Sequence, residues 1–128
     1  MENPKKILIV DDDPVVREVL SARLTSQRFQ IVEAGNGSSG IALAKRERPD
    51  LILLDILMPL QDGMQVHAAL KQDSATKEIP IIFLTALSGG LDPVKDLNPK
   101  RNYRMFGKPY QPEELLRAIQ QTLGEPAR

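Results

Sequence analysis

The sequence contains no cysteine and no tryptophan, and only 4% of its 128 residues are aromatic. Without cysteine there is no disulfide framework, thiol nucleophile or thiolate metal site, which is compatible with a reducing compartment. Net charge is also missing: 17 Lys and Arg balance 17 Asp and Glu, with no run of five like charges. A chain without an overall field has no general means of holding a polyanion, so no nucleic-acid binding is expected. Lys100, Arg101 and Arg104 read as a solvated loop cluster rather than a nucleic-acid footprint. Long hydrophobic runs are absent too. After the polar opening only Ile7 to Val10 precede an acidic run, so neither a signal peptide nor a membrane span is expected, and the default location is cytoplasmic.

What is present is an ordinary apolar fraction, 41%, on a chain near the modal domain length. The reading is one domain over residues 1–128, with 125–128 a frayed end. Five short apolar runs alternate with segments of helical period, the signature of a parallel sheet covered on both faces. The runs are Ile7 to Val10, Phe29 to Val32, Leu51 to Leu54, Ile81 to Leu84 and a weaker one near Tyr103 to Phe106. Three are nearly unbroken Ile, Leu and Val, as buried central strands require.

Between the runs, Val16, Val19, Leu20 and Leu24 recur at helical spacing behind Pro14, predicting a first helix over Pro14 to Gln27. Further helices are expected from Ser38 to Arg48, ended by Pro49, and from Met64 to Gln72. A last helix opens at Pro112, presents Leu115, Leu116, Ile119 and Leu123, and closes at Gly124. From Ser88 to Asn102, a Gly-Gly pair and two prolines leave room for only a short or irregular fourth helix.

Three strands end in polar residues: Val10 runs into Asp11-Asp12-Asp13, Leu54 into Asp55, and Leu84 into Thr85. In an open parallel sheet those tips share one edge, where ligands bind. If the first and third strands are neighbours, Asp11, Asp12 and Asp55 converge, and clustered carboxylates are best stabilised by a hard divalent cation. Carboxylate oxygens completed by water suit Mg²⁺. A carboxylate sharing Mg²⁺ with a phosphate ester is placed to attack phosphorus and form an acyl phosphate. Lys108 can bring a cation to the same edge for the phosphoryl oxygens. Asp13, directly before Pro14, is read as a helix cap. His67, the one histidine, is read as a solvated helix residue.

The stretches Ile-Leu-Ile-Val-Asp-Asp-Asp-Pro at 7–14 and Leu-Ile-Leu-Leu-Asp-Ile-Leu-Met-Pro at 51–59, with Asp62-Gly63, carry a family pattern. So do Ile-Phe-Leu-Thr-Ala at 82–86 and Lys108-Pro109. In this order and spacing they resemble a response-regulator receiver domain over essentially the whole chain. The resemblance implies an α/β, doubly wound, five-stranded parallel sheet in the order 2-1-3-4-5. It makes Asp55 the phospho-acceptor, Asp12 a direct Mg²⁺ ligand and Asp11 a ligand through water. Leu57 would offer a backbone carbonyl to the metal, and Thr85, Lys108 and the Ala86 amide would hold the phosphoryl group. The implied partners are a sensor histidine kinase or phosphotransfer protein, and a downstream protein or fused output domain. The implied role is a signalling phospho-acceptor in a phosphorelay rather than a metabolic enzyme.

The competing reading is a pseudo-receiver that binds protein and ignores phosphate. A Mg²⁺-dependent phosphatase with an aspartyl nucleophile usually carries a second Asp two residues on, where this chain has Leu57. A flavin site would need N–H donors where Asp11 to Asp13 stand. Receivers commonly place an aromatic residue three positions before the lysine, but here it is Met105, with Phe106 beside it. The relay from Thr85 to the surface therefore departs from the usual form.

Leu57 and Leu87 follow Asp55 and Thr85 by two residues, and neither can orient an attacking water. The acyl phosphate should decay slowly for the family, and Leu57→Asn or Leu87→Glu should speed its loss. Decay followed by intact mass checks this; a rate unchanged from wild type in both variants would assign the control to access instead.

Overall fold

The structure is a computed structural model that describes residues 4–55, 63–85, 103–107 and 111–124. Its elements are β1 (Lys6–Val10), α1 (Pro14–Ser26), β2 (Gln30–Ala34), α2 (Gly37–Glu47), β3 (Leu51–Asp55), α3 (Gly63–Gln72), β4 (Ile81–Thr85), β5 (Tyr103–Gly107) and α4 (Pro112–Thr122). All pairings are parallel and the strand order is β2-β1-β3-β4-β5. The α/β class and the parallel sheet agree with the sequence. The expected short fourth helix within 88–102 and the frayed end at 125–128 lie outside the described residues, as do Lys100 and Arg101.

Side chains alternate between the two faces of the sheet, so each central strand feeds two cores. Ile7, Ile9, Leu51, Leu53, Ile82 and Leu84 pack with Leu20 and Leu24 of α1 and Leu115, Ala118 and Ile119 of α4. On the other face, Leu8, Val10, Ile52, Leu54, Ile81 and Phe83 meet Ala44 of α2 and Val66 and Leu70 of α3. The sheet is thus wound on both sides. Residues 7–10 and 51–54 are at most 1% exposed, which explains why their sequences run unbroken rather than alternating with polar residues.

Local signals fix the helix ends. Asp13 Oδ1 accepts the Val15 N–H at 2.9 Å and Pro14 takes the first helical position, so the cap read from the sequence is present. Asn36 caps α2 in the same way through Ser39 N–H at 2.8 Å, and α2 ends at Arg48 in the left-handed region, φ 46°, ahead of Pro49. Glu113 and Glu114 complement the N-terminal dipole of α4.

Three expectations need correction. Val19 is not on the buried face of α1: it is 53% exposed, as Val15 is at 64%. The buried stripe is Val16, Leu20 and Leu24, and Val19 lies about 100° round the helix from Leu20. The second strand begins after Phe29. Arg28 takes φ 72° and Phe29 N–H closes back onto the Leu24 carbonyl at 3.2 Å, burying the ring beneath α1 as a plug for the turn. His67 is half-buried rather than solvated, its ring tilted 59° against Phe83 at 5.2 Å between centroids.

The turn between α3 and β4 is braced from within. Lys71 Nζ donates to the carbonyls of Lys77 and Ile79 at 3.1 and 3.0 Å, and burial pushes its amine below the usual lysine range, partly offset by Glu78. The fully buried Thr76 hydroxyl donates to the Leu70 carbonyl at 2.6 Å. Asp73 accepts the Ala75 N–H and pairs with Lys45 at 3.1 Å, which together hold its carboxyl below the ordinary carboxylate range.

Helix α2 comes close to the end of β1 through Gly40, where a Cβ would stand 2.9 Å from Val10 Cγ2 and 3.0 Å from Cγ1. Gly40→Ala gains about 1 kcal/mol of helix propensity. Overpacking a stiff, buried valine costs about 1–3 kcal/mol. The variant should therefore be less stable by about 1 kcal/mol, measured by urea unfolding. Unchanged or higher stability would show that Val10 can turn aside.

Candidate functional site

Register alone brings two acids together. β1 and β3 pair with Ile9 opposite Leu53 and Val10 opposite Leu54, so the next step sets Asp11 beside Asp55. Both continue the alternation of the face that carries Ile7, Ile9, Leu51 and Leu53. Asp12 follows at the start of the connection to α1. One carboxylate oxygen from each of Asp11, Asp12 and Asp55 lies within 4.8 Å of the others. Asp11 is 1% exposed and Asp55 4%, whereas Asp12 is exposed.

Two unit charges at such a separation repel by roughly 3 kcal/mol at an effective dielectric of about 20. The group is therefore poised to take up a cation. Mg²⁺ holds its oxygen ligands at about 2.0–2.1 Å, so oxygens on opposite sides of one ion stand about 4.2 Å apart. The cluster fits an ion held directly by some carboxylates and through water by another. The donors are all hard oxygens and one side of the group is open through Asp12, which suits an ion that keeps part of its water shell.

The connection that carries the acids is tightly specified. Asp11 N–H donates to the Ala34 carbonyl at 3.1 Å, extending β1 along β2. Asp11 Oδ1 accepts the Asp13 N–H at 2.9 Å. The Asp11 carbonyl accepts Arg17 Nη1 at 2.6 Å, and Arg17 Nε faces Glu33 Oε1 at 3.3 Å. Asp13 N–H, Oδ1 and carbonyl are all engaged in the turn and the first helical bond, so Asp13 belongs to the cap and not to the acidic cluster.

Of the other residues picked out by sequence, Thr85 closes β4, one position beyond the pairing of Leu84 with Asp55 and opposite Gly107 of β5. Its backbone is thereby set at the same edge. Lys108 follows Gly107 directly, but it, Leu57 and Ala86 lie outside the described residues, as does the side chain of Thr85. Arg17 was not legible as part of this region. Its partners are Asp11 and Glu33, and nothing local to a helix shows that a strand end 16 residues on will face it.

Residues 7–120 match the family model described as response regulator receiver domain. Protein PilH of Pseudomonas aeruginosa is 39% identical over 119 residues, covering 92% of this chain and 97% of that protein. A probable transcriptional regulator of Porphyra purpurea, ycf27, is 37% identical over 124 residues, 96% of this chain and 49% of that protein. The chain thus spans about half the length of that curated relative, and 20% of the response regulator PleD of Caulobacter vibrioides. Among solved structures, the receiver domain of a Pseudomonas aeruginosa sensor histidine kinase superposes with a TM-score of 0.80 at 29% identity. The match covers 95% of this chain and 99% of that one, which was solved with a magnesium ion coordinated in its active site cleft. Chemotaxis protein CheY4 of Vibrio cholerae gives 0.79 at 29% identity, over 93% and 98% of the two chains.

Because Asp13 serves the helix, Asp13→Ala should lower stability by about 1 kcal/mol, the typical worth of a cap, by thermal or urea unfolding. A loss well under half of that would mean that Pro14 and the remaining turn bonds hold the helix start without it.

Proposed function

Since the chain belongs to the response regulator receiver family, we propose that it is a phospho-accepting switch of two-component signalling whose acceptor is Asp55. The observation that carries this reading is the meeting of Asp55 with Asp11 and Asp12 at one strand edge, two of the three buried. A pseudo-receiver would have no need to gather three carboxylates there, so that alternative is not favoured.

A Mg²⁺ ion in this cluster would offset the charge of the carboxylates and of an approaching phosphoryl group. Asp12, exposed and at the rim, would bind it directly, with Asp11 through water and Asp55 and the Leu57 carbonyl completing the set. An Asp55 carboxylate oxygen attacks phosphorus in line with the phosphorus–nitrogen bond of a phosphohistidine. An acyl phosphate forms as that bond breaks, and the electron pair leaves with the imidazole nitrogen. Thr85, the Ala86 N–H and Lys108 would take the phosphoryl oxygens, drawing the ends of β4 and β5 toward β3. The donor is a sensor histidine kinase or phosphotransfer protein, and the phosphorylated surface is read by a downstream protein or a fused output domain. The chain then acts as a signalling acceptor and not as a metabolic enzyme.

No helix among the described residues is long and apolar enough to cross a membrane. A cytoplasmic setting belongs to the proposal because that is where a kinase of this class would deliver its phosphoryl group.

Acetyl phosphate with Mg²⁺ should add one phosphoryl group to the wild-type chain and none to Asp55→Asn, read by intact mass. Asp12→Ala should lose both the labelling and the Mg²⁺-dependent amide shifts. Equal labelling of Asp55→Asn would remove the assignment.

A further inference from the structure

Arg17 reaches from the first turn of α1 across the end of β1 to the end of β2. Its Nη1 donates to the Asp11 carbonyl at 2.6 Å, and its Nε faces Glu33 Oε1 at 3.3 Å. The guanidinium also lies over Gly35, where a Cβ would stand 3.2 Å from Nη1 and 3.7 Å from Cζ. The side chain is 21% exposed, so most of it is enclosed between helix and strand ends.

We propose that Arg17 is a positioning residue for the acidic cation site: by pinning the Asp11 carbonyl it fixes the peptide that joins Asp11 to Asp12. The inference rests on the reading of the cluster as a Mg²⁺ site. Three groups of Asp11 are held by three different neighbours: the N–H by Ala34, the carboxylate by the Asp13 N–H, and the carbonyl by Arg17. The first two restrain the residue before the peptide and the residue after Asp12. The third grips the plane of the Asp11–Asp12 peptide itself, and the exposed Asp12 side chain hangs from it. Releasing that plane leaves Asp12 more orientations to lose when it takes a metal.

Charge predicts the opposite sign. A guanidinium next to a dication site repels the dication, so a purely electrostatic role would make removal of Arg17 tighten Mg²⁺ binding. A plain ion pair with Glu33, whose side chain is 40% exposed, would leave Mg²⁺ binding alone. The three roles are thus separated by one measurement.

The experiment is a Mg²⁺ titration of the 128-residue chain followed by amide chemical shifts, with melting temperatures measured in EDTA on the same samples. Arg17→Gln should bind Mg²⁺ about tenfold more weakly, the scale on which outer partners of metal ligands act. A role in folding alone would lower the melting temperature without changing the Kd of the folded protein. Arg17→Lys keeps the charge and the aliphatic stem but places its donors on one nitrogen, where the guanidinium spans Asp11 and Glu33 with two. It should lie between wild type and Arg17→Gln, and it decides the matter if the glutamine variant folds poorly. Wild-type or tighter Mg²⁺ binding in the folded variants would overturn the positioning role and leave the cation site intact. Absence of Mg²⁺ binding in the wild type would remove the site and this inference together.

Discussion

Holding Asp11 and Asp55 at the ends of two fully buried strands is the constraint on which the rest of the molecule turns. A carboxylate taken from water costs several kcal/mol unless its oxygens find partners, and two side by side add mutual repulsion. The protein offsets this by covering the strands that carry them on both faces of the sheet. Ile7 to Val10 and Leu51 to Leu54 are packed on both faces, so the acids cannot retreat from each other without dragging apolar side chains out of two cores. Burial of the strands supplies the free energy, and the parallel register decides where the strain is placed.

The same logic explains the devices around the edge. Asp13 ends the acidic run by turning its side chain into the first turn of α1, so that the third carboxylate neutralises helix donors rather than joining the cluster. At the far end of the sheet, Lys71 and Thr76 tie the turn before β4 with three bonds to backbone carbonyls. Ile52 N–H then reaches the Pro80 carbonyl at 3.0 Å, locking β4 to β3 before the paired stretch begins. With its register set from that end, β4 delivers Thr85 one step past the partner of Asp55. Rigidity remote from the chemistry thus determines which residues can meet at the edge.

Much of this was legible without coordinates because the signals are local and agree with one another. Unbroken Ile, Leu and Val at 7–10 and 51–54 announce strands covered on both sides, and Asp13-Pro14 announces a helix start, each by a mechanism confined to a few residues. The acidic strand ends then follow from topology. What stayed hidden depends on angles or distant partners. Val19 fits a helical apolar pattern as well as Leu20 does, and only the orientation of α1 on the sheet exposes one and buries the other. Phe29 continues an apolar run, yet the left-handed turn at Arg28 hands it to the helix instead of the strand. His67 lies among small and apolar neighbours, and only the crossing of α3 over β4 sets its ring on Phe83.

Arg17 is the clearest case of information that no window of sequence contains. Its carbonyl acceptor is six residues back, across a turn, and its carboxylate partner is on the neighbouring strand, 16 residues ahead. The guanidinium needs both: Glu33 orients the fork, and the fork then offers Nη1 to Asp11. Arg is suited to this and Lys is not, because a planar group with fixed donor directions can span a strand end and a turn with one side chain. Gly35 leaves open the space that the fork occupies, since a methyl there would press on Nη1. Strand end, turn and helix are in this way joined by a single cation beside a group of anions. The site that gathers negative charge thereby owes its backbone geometry to a positive charge that its ligand would avoid.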